Sequence, residues 1–475
     1  MASDHILLFL DFLQKEMLLF ASLCFLIGAV DDLVFDGLWI FHRLKRKLFV
    51  YSRYERATVE TLGKPAPDCR LAIFVPAWNE ATVIGAMLER CLRQWRSSNY
   101  RIYVGCYPND PATVSAVAFA AAGQENIRLV ICNRNGPTTK ADCLNHLWSA
   151  LCQDEIEEQV KYSAVVLHDA EDLVHPQGLR LLEHLIGRAA LVQLPVIPRR
   201  ATGSRWVAGH YCDEFAELHG KQMVMREALG ASIPSAGVGC AFARDALHKL
   251  SVRTNGKPFD AGSMTEDYEL GINLTGEDSR GIFARMRDRH GQLVATQEFF
   301  PDRLEDAIRQ KSRWIAGICL SGWDRLGWKS NWRENWMRLR DRKAGMAAIV
   351  LAIAYLAAIL TGTLLLAELF GVYRLKPVPD LLKILLLVNA GSLIWRLVLK
   401  SCFVFALYGF REALLSMPRT IVANLINIMA AWRAMGHYVD QLTGRPVHWE
   451  KTCHFYPDRA HVQKLRHHQS ADERN

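Results

Sequence analysis

Residues 162–176 read YSAVVLHDAEDLVHP and combine a short apolar run with a cluster of acids. Residues 163–167 are small, β-branched or aliphatic, which is typical of a central strand in a parallel sheet. Asp169, Glu171 and Asp172 follow the carboxyl end of this strand, the position at which open α/β sheets bind ligands. Carboxylates at this density favour Mg²⁺ or Mn²⁺, which would in turn hold a diphosphate, whereas a solvated acidic turn is the alternative for the motif in isolation.

Strand-like and helix-like segments alternate ahead of this stretch. The strand-like runs are 71–75, 102–106 and 129–132, and the helical patterns between them are 81–95, 112–122 and 140–152. Strands separated by helices at this spacing predict right-handed βαβ units and a doubly wound, mostly parallel sheet. No GxGxxG follows the first strand and no GxxxxGK[ST] occurs in the sequence, so neither a dinucleotide fold nor a P-loop NTPase is supported.

Long apolar runs flank this region and predict a membrane protein. Residues 8–30, 346–369 and 381–407 are three candidate spans. A basic cluster at 42–47 follows the first of them, which favours a retained anchor with its amino end outside over a cleaved signal peptide. Residues 412–438 are amphipathic, contain Pro418 as an expected break, and are predicted to lie on the membrane surface or against the helical bundle.

The distribution of charge and of cysteines indicates which binding partners the protein has and in which cellular compartment it lies. Lys and Arg exceed Asp and Glu by 57 − 49 = 8, and much of this surplus lies beside the apolar segments, at 42–47 and 338–343. Such clusters are typical of the cytoplasmic margins of membrane spans, and no nucleic-acid-binding signature accompanies them, so we expect no nucleic acid partner. The twelve cysteines show no zinc spacing and are expected to be reduced. The acids Asp31, Asp32 and Asp36 among apolar residues predict an interfacial amphipathic helix.

Two further motifs follow in the second half of the chain. Thr265 precedes Glu266 and Asp267 at a predicted helix start, with Thr265 as a candidate cap, and simple stabilisation of the helix start by the acids is the alternative. Gln310, Arg313 and Trp314 share one face of a helix predicted over 308–318. Arginine suits phosphate and tryptophan suits a sugar face, although an interfacial helix has the same pattern.

The order of these motifs is itself informative. VPAWNE at 75–80, Asp110, KADCLN at 140–145, HDAED at 168–172, GVGCAF at 237–242, the Thr265 triplet and the Gln310 motif all precede a membrane bundle. This order resembles the membrane-bound inverting family 2 glycosyltransferases, the group of the cellulose, chitin and hyaluronan synthases. Within that group it is most similar to the bacterial inner-membrane phage-adsorption protein B type, which shares a tail like that at 444–457.

The resemblance implies an α/β GT-A glycosyltransferase domain with flanking α-helical transmembrane segments, and it assigns roles to residues. Asp267 would be the general base, with Glu266 beside it, and a carboxylate there would take the proton of the attacking acceptor hydroxyl. Gln310, Arg313 and Trp314 would contact diphosphate and acceptor. The residues expected to bind the nucleotide-sugar are Pro76, Asn79, Glu80, Asp110, Lys140 and Asp169. Asp169 and Glu171 would hold Mg²⁺ or Mn²⁺, although Asp172 is an alternative to Glu171 as the ligand.

The function that follows is transfer of a sugar from a nucleotide-sugar, commonly a UDP-sugar, to a growing polysaccharide at the cytosolic face of the bacterial inner membrane. The expected domains are an anchor and interfacial helix at 1–50, a cytosolic GT-A domain at 51–340, transmembrane and interfacial helices at 341–439, and a cytosolic tail at 440–475. Because related polymer synthases have more spans than three, an outer-membrane export partner, self-association or a lipid-linked acceptor is expected. Single transfer to a polyprenyl-phosphate lipid and a non-catalytic role in an export complex are the alternatives. Control by cyclic di-GMP would require a separate subunit.

Overall fold

The computed structural model describes residues 2–63, 65, 68–200, 203–276 and 279–443. Within these residues the chain forms two compact units. An α/β unit combines 57–199 with 230–300, and a helical unit combines 2–56, 200–229 and 301–443. The tail motif predicted at 444–457 lies outside the described residues.

In chain order, the first half alternates helices and strands as predicted. Its elements are α1 (Ala2–Lys45), β1 (Leu71–Pro76), α2 (Ile84–Gln94), β2 (Tyr100–Cys106), α3 (Pro111–Ala121), β3 (Ile127–Ile131), α4 (Lys140–Glu157), β4 (Ala164–Leu167) and α5 (Gly178–Ile186). The second half of the α/β unit contains β5 (Leu191–Gln193), β6 (Val196–Arg199), β7 (Cys240–Ala243), α8 (Arg244–Arg253), α9 (Glu266–Leu274), β8 (Gly281–Phe283) and β9 (Thr296–Phe299). Helices α6 (Val207–Glu217) and α7 (Met223–Ala228) fall between β6 and β7 in sequence and belong to the helical unit.

The main sheet has seven strands in the order β3-β2-β1-β4-β7-β5-β8, and β6 and β9 form a separate parallel pair. Strands β1 to β4 pair in parallel, and β7 is antiparallel to both β4 and β5. The predicted doubly wound, mostly parallel sheet is therefore confirmed. Because β7 runs opposite to β4, its first residue, Cys240, pairs with Leu167 at the carboxyl end of β4. The loop before β7 thus lies at the same sheet edge as the acids after β4.

Burial explains why these segments form strands and helices. All six residues of β1 are buried, as a central strand covered on both faces requires. Helix α2 buries Ile84, Met87, Leu88 and Cys91, which recur at i, i+3, i+4 and i+7 along one face. Each large apolar side chain so buried contributes about 1.5–3 kcal/mol.

The last part of the described helical unit contains α10 (Leu304–Trp314), which continues through a π-helical stretch at Ile315–Ser321 into α11 (Gly322–Leu326). Three long helices follow: α12 (Trp332–Leu369), α13 (Asp380–Tyr408) and α14 (Phe410–Leu442). The helix predicted over 308–318 thus begins earlier and changes pitch after Trp314. Among the described residues, four helices are long and apolar enough to cross a membrane, three of them corresponding to the predicted spans and the fourth to Phe410–Asp440.

The predicted break at Pro418 is wrong, because α14 continues through this residue. Proline removes a helix hydrogen bond, but the neighbouring Arg419 is fixed on both sides. Its guanidinium donates to Asp213 at 2.7 and 2.9 Å and to Glu412 Oε2 at 2.6 Å. These buried ion pairs hold the helix on either side of the proline.

The stretch around the early acids is helical, as predicted, and it is continuous with the apolar part of α1, which runs from Ala2 to Lys45; its interfacial placement stays a prediction. The acids are neutralised by cations from later segments of the same unit. Asp31 Oδ2 lies 2.8 Å from Lys343 Nζ, and Asp36 Oδ1 lies 2.6 Å from Lys221 Nζ. Carboxylates within an apolar helix persist when they are paired in this way.

Candidate active site

The acidic loop after β4 separates its carboxylates into two environments. The Asp169 side chain is 29% exposed, and its Oδ1 lies 2.6 Å from Lys140 Nζ. Asp172 is 0% exposed, and its Oδ2 lies 2.6 Å from Nδ1 of the buried His168. The same oxygen accepts from the Asp169 N–H at 3.2 Å. Asp172 therefore holds the loop in shape, and it is not the open carboxylate that a metal–diphosphate complex would meet.

Burial explains the protonation of this inner pair. Burial raises the pKa of Asp172 well above its usual range, and the charges of Asp169 and Glu171 act in the same direction. Burial lowers the pKa of His168 to about 4, so the imidazole is neutral. His168 Nδ1 and Asp172 Oδ2 share one hydrogen bond, and the other bond of Asp172 Oδ2, from the Asp169 N–H, fixes the backbone of the loop.

Lys140 connects the acidic loop with the Glu266–Asp267 pair. It is the first residue of α4, whose N-cap Thr139 accepts from the Asp142 N–H at 3.1 Å. Burial lowers the pKa of Lys140, but the carboxylates of Asp169, Glu266 and Asp267 outweigh burial and raise it. Lys140 is therefore a charged ammonium that acts on three carboxylates from two separate parts of the sequence.

Glu266 and Asp267 lie in the first turn of α9, as predicted. Burial and the charge of Asp267 raise the pKa of Glu266 to about 7, and Lys140 opposes this rise. Burial raises the pKa of Asp267 as well, again against Lys140. Asp267 Oδ1 accepts from the Tyr268 N–H at 2.7 Å. The capping role predicted for Thr265 is wrong: this residue occupies the N-cap position, but its buried hydroxyl has no hydrogen-bond partner among the described residues.

The predicted nucleoside residues meet at the ends of β1 and β2. Pro76 is the last residue of β1, and Asn79 follows with a φ of +56°. Asp110 Oδ2 accepts from the Asn79 N–H at 2.7 Å, while its Oδ1 accepts from the Thr113 N–H at 3.3 Å as the N-cap of α3. The Glu80 N–H donates to Thr113 Oγ1 at 3.0 Å. Asp110 therefore caps a helix and fixes the Asn79 loop at once.

Two structural contacts near the site have no simple sequence signal. Asn145 clamps the backbone of Phe259, donating from Nδ2 at 2.7 Å and accepting at Oδ1 at 3.1 Å. Gln193, the last residue of β5, is fully buried and hydrogen bonds the loop before β7. A lone glutamine at the end of a three-residue strand carries no pattern that would mark it in a sequence.

Gln310, Arg313 and Trp314 lie together on α10, in the helical unit. The Trp314 ring packs against Tyr211 and Phe215 of α6, with ring centroids 6.1 and 6.2 Å away. Gln310 Oε1 is buried and has no hydrogen-bond partner among the described residues.

The donor set for a divalent cation is small but chemically suitable. No group of three or more His, Cys, Asp and Glu side chains in the described part of the chain is arranged to hold a metal ion. Mg²⁺ in phosphate-transferring sites is commonly held by one or two carboxylates together with substrate phosphates and water. The partly exposed Asp169 and the neighbouring, buried Glu171 are the carboxylates for such a site, in which the substrate supplies the remaining ligands.

Comparison with known proteins identifies the chain. The model of the family described as "Glycosyltransferase like family 2" matches residues 67–317. Bacteriophage adsorption protein B of Escherichia coli (strain K12) and bacteriophage N4 adsorption protein B of Escherichia coli O157:H7 are each 38% identical over 452 residues. These cover 91% of this chain and 60% of either relative, so the chain spans about 60% of their length.

A solved structure supports the fold. The mannosyltransferase PcManGT from Pyrobaculum calidifontis, in complex with GDP-Man and Mn²⁺, aligns with a TM-score of 0.53 and 18% identity, covering 92% of this chain and 100% of that one. At this identity the match concerns the fold alone. Together with the family match, it shows that this chain belongs to glycosyltransferase-like family 2 and is a glycosyltransferase with the GT-A fold.

Proposed function

We propose that the protein transfers a sugar, with inversion, from a nucleotide-sugar to a growing polysaccharide at the cytosolic face of a bacterial inner membrane. The observation that carries this proposal is the electrostatic grouping of Asp169, Glu266 and Asp267 around Lys140. The Lys140 ammonium suits a diphosphate, and the Asp169 carboxylate after β4 suits the metal ion that would accompany it. The buried Asp267 carboxylate at the start of α9 suits a general base. These are the two chemical functions that sugar transfer from a nucleotide diphosphate requires.

In the proposed reaction, the acceptor hydroxyl oxygen attacks the anomeric carbon as Asp267 takes its proton. The bond from that carbon to the phosphate oxygen breaks, and the nucleoside diphosphate leaves from the opposite face with the bonding electrons. Lys140 offers positive charge to the leaving group. The raised pKa of Asp267 makes it a stronger base than an ordinary aspartate while leaving it ionisable. Gln310, Arg313 and Trp314 are proposed, from the family resemblance, to contact acceptor and diphosphate.

Asp169 and Glu171 would hold Mg²⁺ or Mn²⁺. Bound there, the cation would neutralise charge on the diphosphate. The Asp172–His168 pair supports this placement, because it fixes the backbone of the loop that presents Asp169. We therefore propose Glu171, and not Asp172, as the second ligand.

The placement in the cell follows the sequence expectations. We propose that 51–340 is the cytosolic catalytic part, flanked by membrane segments at 1–50 and 341–439 and by a cytosolic tail at 440–475. An outer-membrane export partner is proposed from the family resemblance alone.

The test is nucleotide release by the purified full chain in detergent with Mg²⁺ or Mn²⁺. The donor panel should hold UDP-sugars and GDP-mannose, since the latter is bound by the mannosyltransferase of similar fold. Release from one donor that is lost in Asp267→Asn and Asp169→Ala is expected. The matched control is Asp245→Asn, an acid of the same unit that is 74% exposed and 3.5 Å from Lys161.

The reaction product distinguishes polysaccharide synthesis from transfer to a lipid, and the absence of any reaction distinguishes both from a non-catalytic role. A chain that lengthens with time supports a polysaccharide, whereas a single sugar on an organic-soluble lipid supports transfer to polyprenyl phosphate. Nucleotide binding without release from any donor, in the presence of acceptor lipid and membrane extract, would contradict catalysis and favour the export-complex role.

A further inference from the structure

The buried amide of Gln193 is fully committed to one loop. Its Oε1 accepts from the Ala236 N–H at 2.8 Å, and its Nε2 donates to the Val238 carbonyl at 3.0 Å and to the Leu194 carbonyl at 2.8 Å. The side chain is 0% exposed. Both donor hydrogens and the acceptor oxygen of the amide are therefore used, and two of the three bonds go to residues 236–238.

That loop is joined to the strand that carries the acids. The Gly239 N–H donates to the Leu167 carbonyl at 2.9 Å, and the Leu194 N–H donates to the Gly239 carbonyl at 2.9 Å. Ser235 Oγ accepts from the Gly237 N–H at 3.1 Å. The loop is thus fixed at both ends, and Gln193 supplies the contacts to its middle.

The middle of the loop lies directly against Asp267. Gly237 has a φ of +75°, and a Cβ built on it would collide with Asp267 Oδ2. The other carboxylate oxygen, Oδ1, accepts from the Tyr268 N–H. One carboxylate oxygen is therefore hydrogen bonded to its own helix, and the other lies close against Gly237, whose neighbours on both sides bond to Gln193.

We propose that Gln193 is a positioning residue for the general base, acting through the loop 236–238 to set the orientation of the Asp267 carboxylate. This inference rests on the proposed function, since it takes Asp267 as the base. The three hydrogen bonds require an amide, because a methionine of similar length makes none of them and a glutamate cannot donate to the two carbonyls.

Kinetics test the proposal. In Gln193→Met and Gln193→Glu we expect kcat to fall on the order of 10²-fold with the KM for the donor unchanged, because a misplaced base slows the chemical step and the donor pocket keeps its contacts. In an Asp267→Asn background the same substitutions should add almost nothing, because the group they position is already lost. Gln153→Met, on the exposed face of α4, is the control and should behave as wild type. Equal falls in both backgrounds, or a rise in KM with kcat unchanged, would overturn the proposal.

A second readout is independent of turnover. Hydrogen exchange measured by mass spectrometry on the full chain in detergent should show slow exchange of peptides covering 235–240 in wild type and at least about tenfold faster exchange in Gln193→Met. The thermal midpoint identifies a variant that has simply unfolded. If wild type releases no nucleotide from any donor, the proposed function fails, while the exchange result still decides whether Gln193 holds the loop. Unchanged exchange at 235–240 would overturn the positioning role.

Discussion

Lys140 acts on both the acidic loop and the base pair, so its removal gives a prediction with a definite sign. Lys140→Met keeps an unbranched side chain and removes the charge. In wild type, burial raises the pKa values of Glu266 and Asp267, and Lys140 lowers both. The substitution therefore raises them further. Since Asp267 accepts a proton only as a carboxylate, the acid limb of the pH–rate profile should move to higher pH.

The size of the pKa shift of Asp267 depends on how the Lys140 charge is shared among the carboxylates around it. An opposite charge within ~4–6 Å typically lowers a carboxyl pKa by about 1–3 units. Lys140 Nζ lies 2.6 Å from Asp169 and divides its influence among three carboxylates, so we take the lower end of that range for Asp267. One unit corresponds to about 1.4 kcal/mol, or about tenfold in the ionised fraction below the limb. Lys140→Met should thus lose about tenfold more activity below the limb than above it. A pH-independent loss from weaker diphosphate binding adds to this.

The assay is the initial rate of nucleotide release at saturating donor and metal, across the pH range in which the variant keeps its thermal midpoint. Lys161→Met is the matched control, because this lysine is 77% exposed and pairs only across 3.5 Å with an exposed acid. A uniform fall in rate, with the acid limb at its wild-type pH, would refute the electrostatic reasoning. It would leave Lys140 as a diphosphate contact alone.

Two further predictions concern the acidic loop and the membrane topology. Asp172→Asn keeps hydrogen-bonding groups for both partners of Asp172, so its metal requirement should stay close to wild type. Asp172→Ala should cost about 1–3 kcal/mol of folding stability per orphaned partner, seen as a lower thermal midpoint. A metal requirement raised as far as in Asp169→Asn would instead make Asp172 a ligand. Helix α14 should stay on the cytosolic side, because its buried Arg419 pairs with Asp213 of α6, which is not among the helices of the described residues that are apolar enough to cross a membrane. A compartment reporter fused after Thr443 should therefore read cytosolic, and a periplasmic signal would contradict this placement.

The strands and the acids at their ends were accessible from sequence because they depend on local pattern. Apolar runs bounded by charge locate β1, β2 and β4 to within a few residues, and parallel pairing then places Asp169 at the ligand edge of the sheet. Helix starts at Lys140 and Glu266 follow from the same alternation. These features need no knowledge of which residues meet across the fold.

What sequence could not supply were the partners that tertiary packing selects. Asp110 reads as a binding residue by resemblance, and only the fold shows that one carboxylate both caps α3 and fixes Asn79. Thr265 has the right residue type and place for a cap, yet its hydroxyl makes no cap bond. Pro418 signals a helix end, and the ion pairs of Arg419 override that signal.

The interleaving of the two units along the chain limits how the enzyme can be dissected. Strands β1 to β6 lie before residue 200 and β7 to β9 after residue 229, so the seven-stranded sheet is completed only when both parts are present. A continuous fragment of residues 57–300 would carry α6 and α7 without α10, α13 and α14, and the Asp213 carboxylate would lose Arg419. No single pair of cuts therefore yields a continuous fragment that contains the α/β unit alone. During synthesis, the seven-stranded sheet cannot be completed before β8 has left the ribosome, and the separate β6–β9 pair cannot form before β9 has done so.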